Sequence, residues 1–244
     1  VTAIPDPVDL AVIVVPKQLV LAAAEECGQK GVRGLVVISA GFAEVGGEGV
    51  ERERQLVEIV RRYGMRMVGP NCMGVLNTSP AVGMNATFSP SSPPHGPVAI
   101  ISQSGAIGQS ILDLAGELGI GVCQFVSVGN KPDVSGNDLL EYWDQDPEVR
   151  VILMYLESFG NPRKFFRITR DLGRRKPIFV VKAGRTAAGA RAAASHTAAL
   201  SGTDLAADAL LAQAGVMRAQ TVEELFDYAM AFPRLPLPRG NRVA

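Results

Sequence analysis

The stretch Val98-Ala-Ile-Ile-Ser-Gln-Ser-Gly-Ala-Ile-Gly108 decides the fold class. Its apolar, β-branched start suits a strand covered on both faces, as strands of parallel sheets are. Ser-Gln-Ser-Gly then interrupts the run, and Ile107 to Leu118 reads as a helix. Strand, short polar turn, helix is the unit from which doubly wound α/β sheets are built.

The same unit recurs in both directions. Downstream, Cys123–Ser127, Val151–Leu156 and Ile178–Lys182 read as strands, with a weaker one at Met217–Ala219. Helices fit at Asn137–Asp144, Pro162–Arg174, Asp204–Ala214 and Val222–Phe232. Upstream, Asp9–Pro16, Gly34–Ser39 and Met65–Val68 read as strands, and Leu19–Lys30 and Glu48–Tyr63 as helices. Between the two series, Thr78–Pro97 is rich in proline and serine and shows no period, the mark of a linker. The expected organisation is 1–78, an incomplete Rossmann-like domain; 79–97, a linker; 98–233, a flavodoxin-like doubly wound domain; and 234–244, a tail leading onward. Three strands are few for such a first domain, and the last residues resemble a strand just beginning. The chain is therefore expected to belong to a longer polypeptide.

Composition excludes several classes. The 244 residues are 47% apolar and 20% charged, ordinary for a globular chain. Lys plus Arg and Asp plus Glu both number 24, so the basic excess of a nucleic-acid binder is missing. No apolar run approaches the ~20 residues of a membrane helix, and no secretory signal pattern opens the chain. Cys27, Cys72 and Cys123 are an odd number without CxxC spacing, which suits a reducing cytoplasm and no zinc site.

Ligands of parallel α/β sheets bind at the carboxyl ends of strands. Four groups of residues lie there. Ser102, Ser104 and Gly105 sit where a strand gives way to a helix, whose N–H groups and dipole attract anions; a serine helix cap is the simpler reading. The turn is not a Walker A loop, since no Gly-Lys-Ser/Thr follows. His196 lies among small residues in Ala192-Ala-Ala-Ser-His-Thr-Ala-Ala-Leu200. Composition favours a surface histidine there, although imidazole can accept and pass on a group near neutral pH. The chain's other histidine, His95, falls in the proline-rich stretch and reads as a solvated loop residue. Glu157 directly follows the strand Val151–Leu156 and reads either as a helix cap or as the carboxylate that holds one ring nitrogen of His196. Finally, Val15-Pro16-Lys17, Ser39-Ala-Gly41 and Gly69-Pro-Asn-Cys-Met-Gly74 end three strands of the first series at one sheet edge, where a flat ligand could approach. The basic run Arg170–Lys176 reads as a solvated helix face and end.

Taken in order, Val-Val-Pro (14–16), Ile-Ser-Ala-Gly-Phe (38–42), Gly-Pro-Asn-Cys-Met-Gly (69–74), Ser-Gln-Ser-Gly (102–105), Gly-Asn-Lys (129–131), Tyr-Leu-Glu (155–157) and Ser-His-Thr (195–197) resemble the NDP-forming acyl-CoA synthetases, relatives of succinyl-CoA synthetase. The resemblance covers nearly the whole chain. It implies a CoA-binding domain followed by a ligase domain. It makes His196 the phosphohistidine, Glu157 the carboxylate that orients it, and Ser102, Ser104 and Gly105 the phosphate cradle. Val15, Pro16, Ser39, Asn71 and Met73 align with positions lining the CoA site. Ala198 stands where a glycine usually follows His-Thr, and the residues around His196 differ from those of succinyl-specific enzymes.

The implied reaction interconverts acyl-CoA, phosphate and ADP with carboxylic acid, CoA and ATP, through acyl phosphate and phosphohistidine. CoA, phosphate and a small carboxylic acid are the implied ligands. ATP or ADP, with Mg2+, would enter only through an ATP-grasp domain or subunit outside this chain. An oligomer is expected, with neither nucleic acid nor membrane as a partner. Two other readings compete: a ligand-sensing module of a protein lysine acetyltransferase, and a CoA-binding scaffold without catalysis. An intact His196 and Glu157 favour the synthetase.

Overall fold

The computed structural model describes residues 1–184, 204–236 and 240. His196 therefore lies outside the described residues. Three parallel strands, β1 (Leu10–Ile13), β2 (Gly34–Val37) and β3 (Arg66–Val68), form the first sheet in that order. Helices α1 (Val20–Lys30) and α2 (Glu48–Arg62) connect them. α1 stops at Gly31, whose φ of 83° is the left-handed helix cap that glycine adopts without a Cβ clash. The core of this unit is Val20, Ala24, Leu35, Val37, Phe42, Leu56, Val60 and Met67, all buried.

Among the described residues the second sheet has seven strands: β4 (Gly74–Asn77), β5 (Met84–Thr87), β6 (Val98–Ser102), β7 (Val122–Ser127), β8 (Val151–Leu156), β9 (Ile178–Lys182) and β10 (Met217–Ala219). Their spatial order is β10-β9-β8-β6-β7-β4-β5. From β6 to β10 all pairs are parallel, and the order corresponds to the flavodoxin-like 2-1-3-4-5 pattern. β6, β7 and β9 are buried at every position, as expected of strands covered on both faces. Helices α3 (Gly105–Glu117), α4 (Gly136–Gln145), α5 (Pro162–Leu172), α6 (Asp204–Ala214) and α7 (Val222–Ala231) supply the cover. One core layer joins Ile100, Ile111, Phe125, Leu153, Phe179 and Phe226. The opposite layer joins Ile101, Val126, Trp143, Met154, Phe165 and Val180. Trp143 donates its indole N–H to Gln124 Oε1 at 2.8 Å, so the one polar atom of the largest core side chain is satisfied.

The stretch 79–97, expected to be a linker, carries an element of structure. β5 lies within it, paired antiparallel to β4, and β4 is itself antiparallel to β7. Residues 74–77, placed by the sequence reading in the first domain, thus belong to the second sheet. β4 alternates between buried and half-buried positions, β5 has no buried position, and neither shows a continuous run buried on both faces, which is why the pattern of buried strands does not reveal them.

The loop after β7 seats the two sheets against each other. Gly129 has φ of 55°, and a Cβ there would lie 2.2 Å from Pro70 O. Asn130 N–H donates to Pro70 O, and Val134 N–H donates to Met67 O on β3. Asp133 accepts from the Met67 N–H at 2.7 Å and pairs with Arg66. Gly129→Ala should therefore combine left-handed backbone strain with a clash against fixed backbone, and destabilise the protein by about 2–4 kcal/mol in chemical denaturation, within the range of severe single substitutions.

Candidate active site

β6 and β8 are neighbours in the sheet, but the chain leaves β6 toward β7 and leaves β8 toward β9. This is the topological switch point, where the connections diverge and a crevice opens at the strand ends. Gln103, just past β6, spans it. Its Oε1 accepts the N–H groups of Glu157 and Ser158, each at 3.0 Å, and its own N–H donates to Tyr155 O. The crevice widens into a cleft of about 660 Å³ between the sheets, lined among others by Asn71, Phe88, Gln103, Ser104, Gly105 and Glu157.

The start of α3 forms one wall. Ser104 is the helix cap, and its hydroxyl accepts from the Ile107 N–H. The first N–H groups of any helix lack an intrahelical acceptor, so those of Gly105 and Ala106, which line the cleft, are available to an anion. The serine-cap reading of this turn is observed, and the same helix start opens onto the cleft. Ser102 takes a different part from the one the resemblance gave it. It is fully buried, and its hydroxyl donates to Ser104 O at 2.6 Å, bracing the turn from behind.

The first sheet contributes its strand ends, and they do converge. Ser39 Oγ accepts from the Val15 N–H at 3.1 Å and donates to Val15 O, and the Asn71 N–H donates to Ser39 O at 3.0 Å. Of the five positions aligned with a CoA surface, Asn71 reaches the cleft, while Val15, Pro16 and Ser39 lie outside its lining. Met73 does not present its side chain to a ligand: it is fully buried in the second domain's core. Its backbone N–H donates to Ser127 Oγ at 2.9 Å. The turn 69–74 crosses from one sheet to the other, and Met73 is already on the far side. His95 contacts Thr78 Oγ1 at 3.0 Å, away from the cleft.

The structure also brings in groups that the strand-end reasoning passed over. Lys131 is half-buried beside the crevice, in the left-handed region at φ of 55°. Its ammonium donates to Ser158 O at 2.7 Å and to Ser158 Oγ at 3.0 Å. Burial pulls the Lys131 pKa down to about 8, with Glu157 opposing and Lys182 reinforcing the shift. Lys182, the last residue of β9, is buried, and its pKa too is lowered chiefly by burial. A smaller compartment of about 200 Å³ adjoins the cleft and is lined by Glu44, Glu53, Gln103, Asn130, Lys131 and Ser158. There the Asn130 amide donates to both Glu44 and Glu53, at 2.6 and 2.7 Å. Gly-Asn-Lys at 129–131 was visible as a motif, and a lysine directly at a strand's end was a usable signal for Lys182. The thiols are poor nucleophiles here: burial pushes both Cys72 and Cys123 up to about 12.

The chain matches known families over nearly its whole length. The family description "Succinyl-CoA ligase like flavodoxin domain" matches residues 95–232, and "CoA binding domain" matches residues 1–78. The chain belongs to the succinyl-CoA ligase-like flavodoxin domain family, with a CoA-binding domain ahead of it. It is 49% identical over its whole length to the alpha subunit of an ADP-forming acetate–CoA ligase I of Pyrococcus furiosus, covering 52% of that protein. It is 45% identical to an ADP-forming 4-hydroxybutyrate–CoA ligase of Nitrosopumilus maritimus over 98% of this chain and 34% of the other. Among solved structures, a dinucleotide-forming acetyl-coenzyme A synthetase 1 of Ca. Korarchaeum cryptofilum, in complex with phosphate and ADP, superposes with a TM-score of 0.92 at 45% identity, over 98% of this chain and 51% of that one. The chain thus spans between a third and about half of these relatives.

Because the folded state holds the Lys131 pKa near 8 against an ordinary 10.5, the unfolded chain binds the extra proton between those values. Stability from this group therefore rises as pH climbs through that window. Denaturation midpoints measured from pH 8 to 10.5 should show this rise in the wild type and a flatter profile in Lys131→Met.

Proposed function

We propose that this chain is the CoA-binding and phosphoryl-carrying portion of an ADP-forming acyl-CoA synthetase. The observation that carries the reading is the meeting of Gly105, Ser104 and Glu157 around one cleft at the switch point, within a family-matched fold. The relatives' names add an ADP-forming acid–thiol ligase as the activity class.

The chemistry follows from what the cleft offers. Phosphate seats on the N–H groups opening α3, where the helix dipole offsets its charge. A phosphate oxygen attacks the acyl carbonyl of the thioester, and CoA leaves as the thiolate, giving acyl phosphate. One ring nitrogen of His196 then attacks phosphorus, and the carboxylate departs. Glu157 accepts a hydrogen bond from the other ring nitrogen, fixing the tautomer and stabilising the positive charge that develops on the ring. Phosphohistidine is a high-energy species, so the phosphoryl group can go on to ADP. The nucleotide and Mg2+ are assigned to an ATP-grasp domain or subunit, and CoA to the surface around Val15, Pro16, Ser39 and Asn71. No described helix is long and apolar enough to cross a membrane. The proposed setting is a reducing cytoplasm, which suits three buried free cysteines.

In the assembly containing the ATP-grasp partner, His196→Ala should abolish turnover and leave no acid-labile phosphoryl label on this chain. Label retained in that variant would overturn the assignment, since another residue would be the carrier. Glu157→Gln keeps the hydrogen-bonding shape but loses the charge, and should slow label transfer by ~10²-fold, the scale of one acid–base partner.

A further inference from the structure

We propose that Asn130 is a positioning residue: held by Glu44 and Glu53, it turns the Asn71 amide so that the oxygen, not the NH2, is offered to the cleft, which there receives an N–H donor from the amide-containing arm of an acyl thioester. The ligand class rests on the functional reading above; the orientation is a property of this chain.

The end of an asparagine side chain has nearly the same shape either way round, so its partners decide how it points. Asn130 Nδ2 donates to Glu44 at 2.6 Å and to Glu53 at 2.7 Å, and Asn130 Oδ1 accepts from Asn71 Nδ2 at 3.2 Å. An ionised carboxylate only accepts hydrogen bonds. Reversing Asn130 would aim its oxygen at two carboxylate oxygens with no proton between them. Asn71, by contrast, could meet Asn130 with either end of its amide, and Asn130 decides which. Facing an oxygen, Asn71 must present Nδ2, so its own Oδ1 lies at the other end.

The relay is anchored at each step. Glu44 also accepts the Gly41 and Phe42 N–H groups, and Glu53 the Ala43 N–H. Burial works against the charge of Glu44, but the hydrogen bonds from Asn130, Gly41 and Phe42 outweigh it and hold the carboxyl below its ordinary range. The Asn130 backbone is fixed by its N–H bond to Pro70 O. Asn71 has φ of 57°, in the left-handed region that asparagine tolerates, and its N–H is bonded to Ser39 O. Lys131, the cation lining the same compartment, is spent on Ser158. Among the described residues, no side chain other than Asn130 donates to Glu44 or Glu53, and none donates to Asn71 Oδ1.

Asn71 lines the cleft together with Gly105 and Ala106. The two positions make opposite demands. Helix N–H groups attract an oxyanion, whereas an amide oxygen repels one and accepts an N–H. The orientation set by Asn130 thus divides the cleft, with the anion at the start of α3 and the amide donor on the first-sheet side. The arm of CoA that ends at sulfur carries secondary amides, each with one N–H, and is the part of an acyl thioester that answers this demand.

The test is a mutant cycle. Glu44→Gln with Glu53→Gln replaces both carboxylates by groups that can donate, which frees Asn130 to reverse. Asn71→Asp sets an acceptor against Asn130 Oδ1. In this chain it should lower the denaturation midpoint clearly in the wild type and far less in the doubly substituted background, where a reversed Asn130 donates to the new carboxylate. In side-chain amide NMR spectra of the wild type, the Asn130 NH2 protons should exchange with solvent about tenfold or more slowly than those of an exposed asparagine, a readout that needs no variant to fold. In the assembly with the nucleotide-binding partner, Asn71→Leu, which has no acceptor, should raise KM for acyl-CoA about tenfold in both backgrounds and move that for phosphate by less than about twofold, the scale of one lost hydrogen bond. Asn71→Asp should raise KM for acyl-CoA in the wild type and leave it near the wild-type value in the doubly substituted background. Equal effects of Asn71→Asp in both backgrounds, freely exchanging Asn130 NH2 protons, or an unmoved acyl-CoA KM in Asn71→Leu overturns the proposal. A wild-type assembly that forms no acyl phosphate would instead count against the functional reading, and the stability cycle and exchange rates would still decide the orientation.

Discussion

Two parallel strands that sit side by side but send their chains in opposite directions leave a gap that nothing in the sheet can fill. The cleft at the strand ends depends on how that gap between β6 and β8 is bridged. Backbone N–H groups at the end of β8 have lost their ladder partners, and a buried or half-buried amide without an acceptor is costly. Gln103 resolves this with a single amide oxygen, which accepts two successive N–H groups and so determines where Glu157 and Ser158 emerge. The same residue stands immediately before the serine that caps α3. The start of α3 and the Glu157 strand end are consequently placed by one short connection, and their separation is set by a side chain rather than by a flexible loop.

The second sheet does not achieve this alone. The loop from Gly129 to Val134 presses onto the turn 69–71 and the edge strand β3, through backbone bonds to Pro70 and Met67 and the Arg66–Asp133 pair. Such contacts are local and mostly backbone, so they prescribe position more than they contribute stability. An exposed ion pair like Arg66–Asp133 is worth little by itself. Its carboxylate matters more because it also accepts the Met67 N–H, which would otherwise be an open edge of the first sheet.

Strands with uninterrupted β-branched runs, such as Val98–Ser102, were legible in the sequence because burial on both faces leaves a strong mark. Gly74–Asn77 and Met84–Thr87 were not, because a half-exposed antiparallel edge needs no such run and their proline and serine surroundings resemble a loop. Of the residues lining the cleft, Ser104, Gly105 and Glu157 are reached from the strand-end rule alone. Lys131 could not, since its character comes from being enclosed by residues distant in sequence. Met73 shows the opposite failure: a matched position fixes a residue's place in the chain but not the direction of its side chain, and here the chain has just turned into another core.

The antiparallel pair β4 and β5 gives the chain a seam that differs from its apparent modular boundary. The matched CoA-binding region runs to residue 78, yet residues 74–77 are stitched by backbone hydrogen bonds to β7 of the following sheet. Recombining first and second halves between homologous proteins at residue 78 would graft a foreign strand into the edge of the recipient's larger sheet. A crossover between Val68 and Gly74 would transfer each sheet whole, and the Gly-Pro-Asn turn, not the proline-rich stretch beyond it, is where nature or an engineer could exchange one binding half for another.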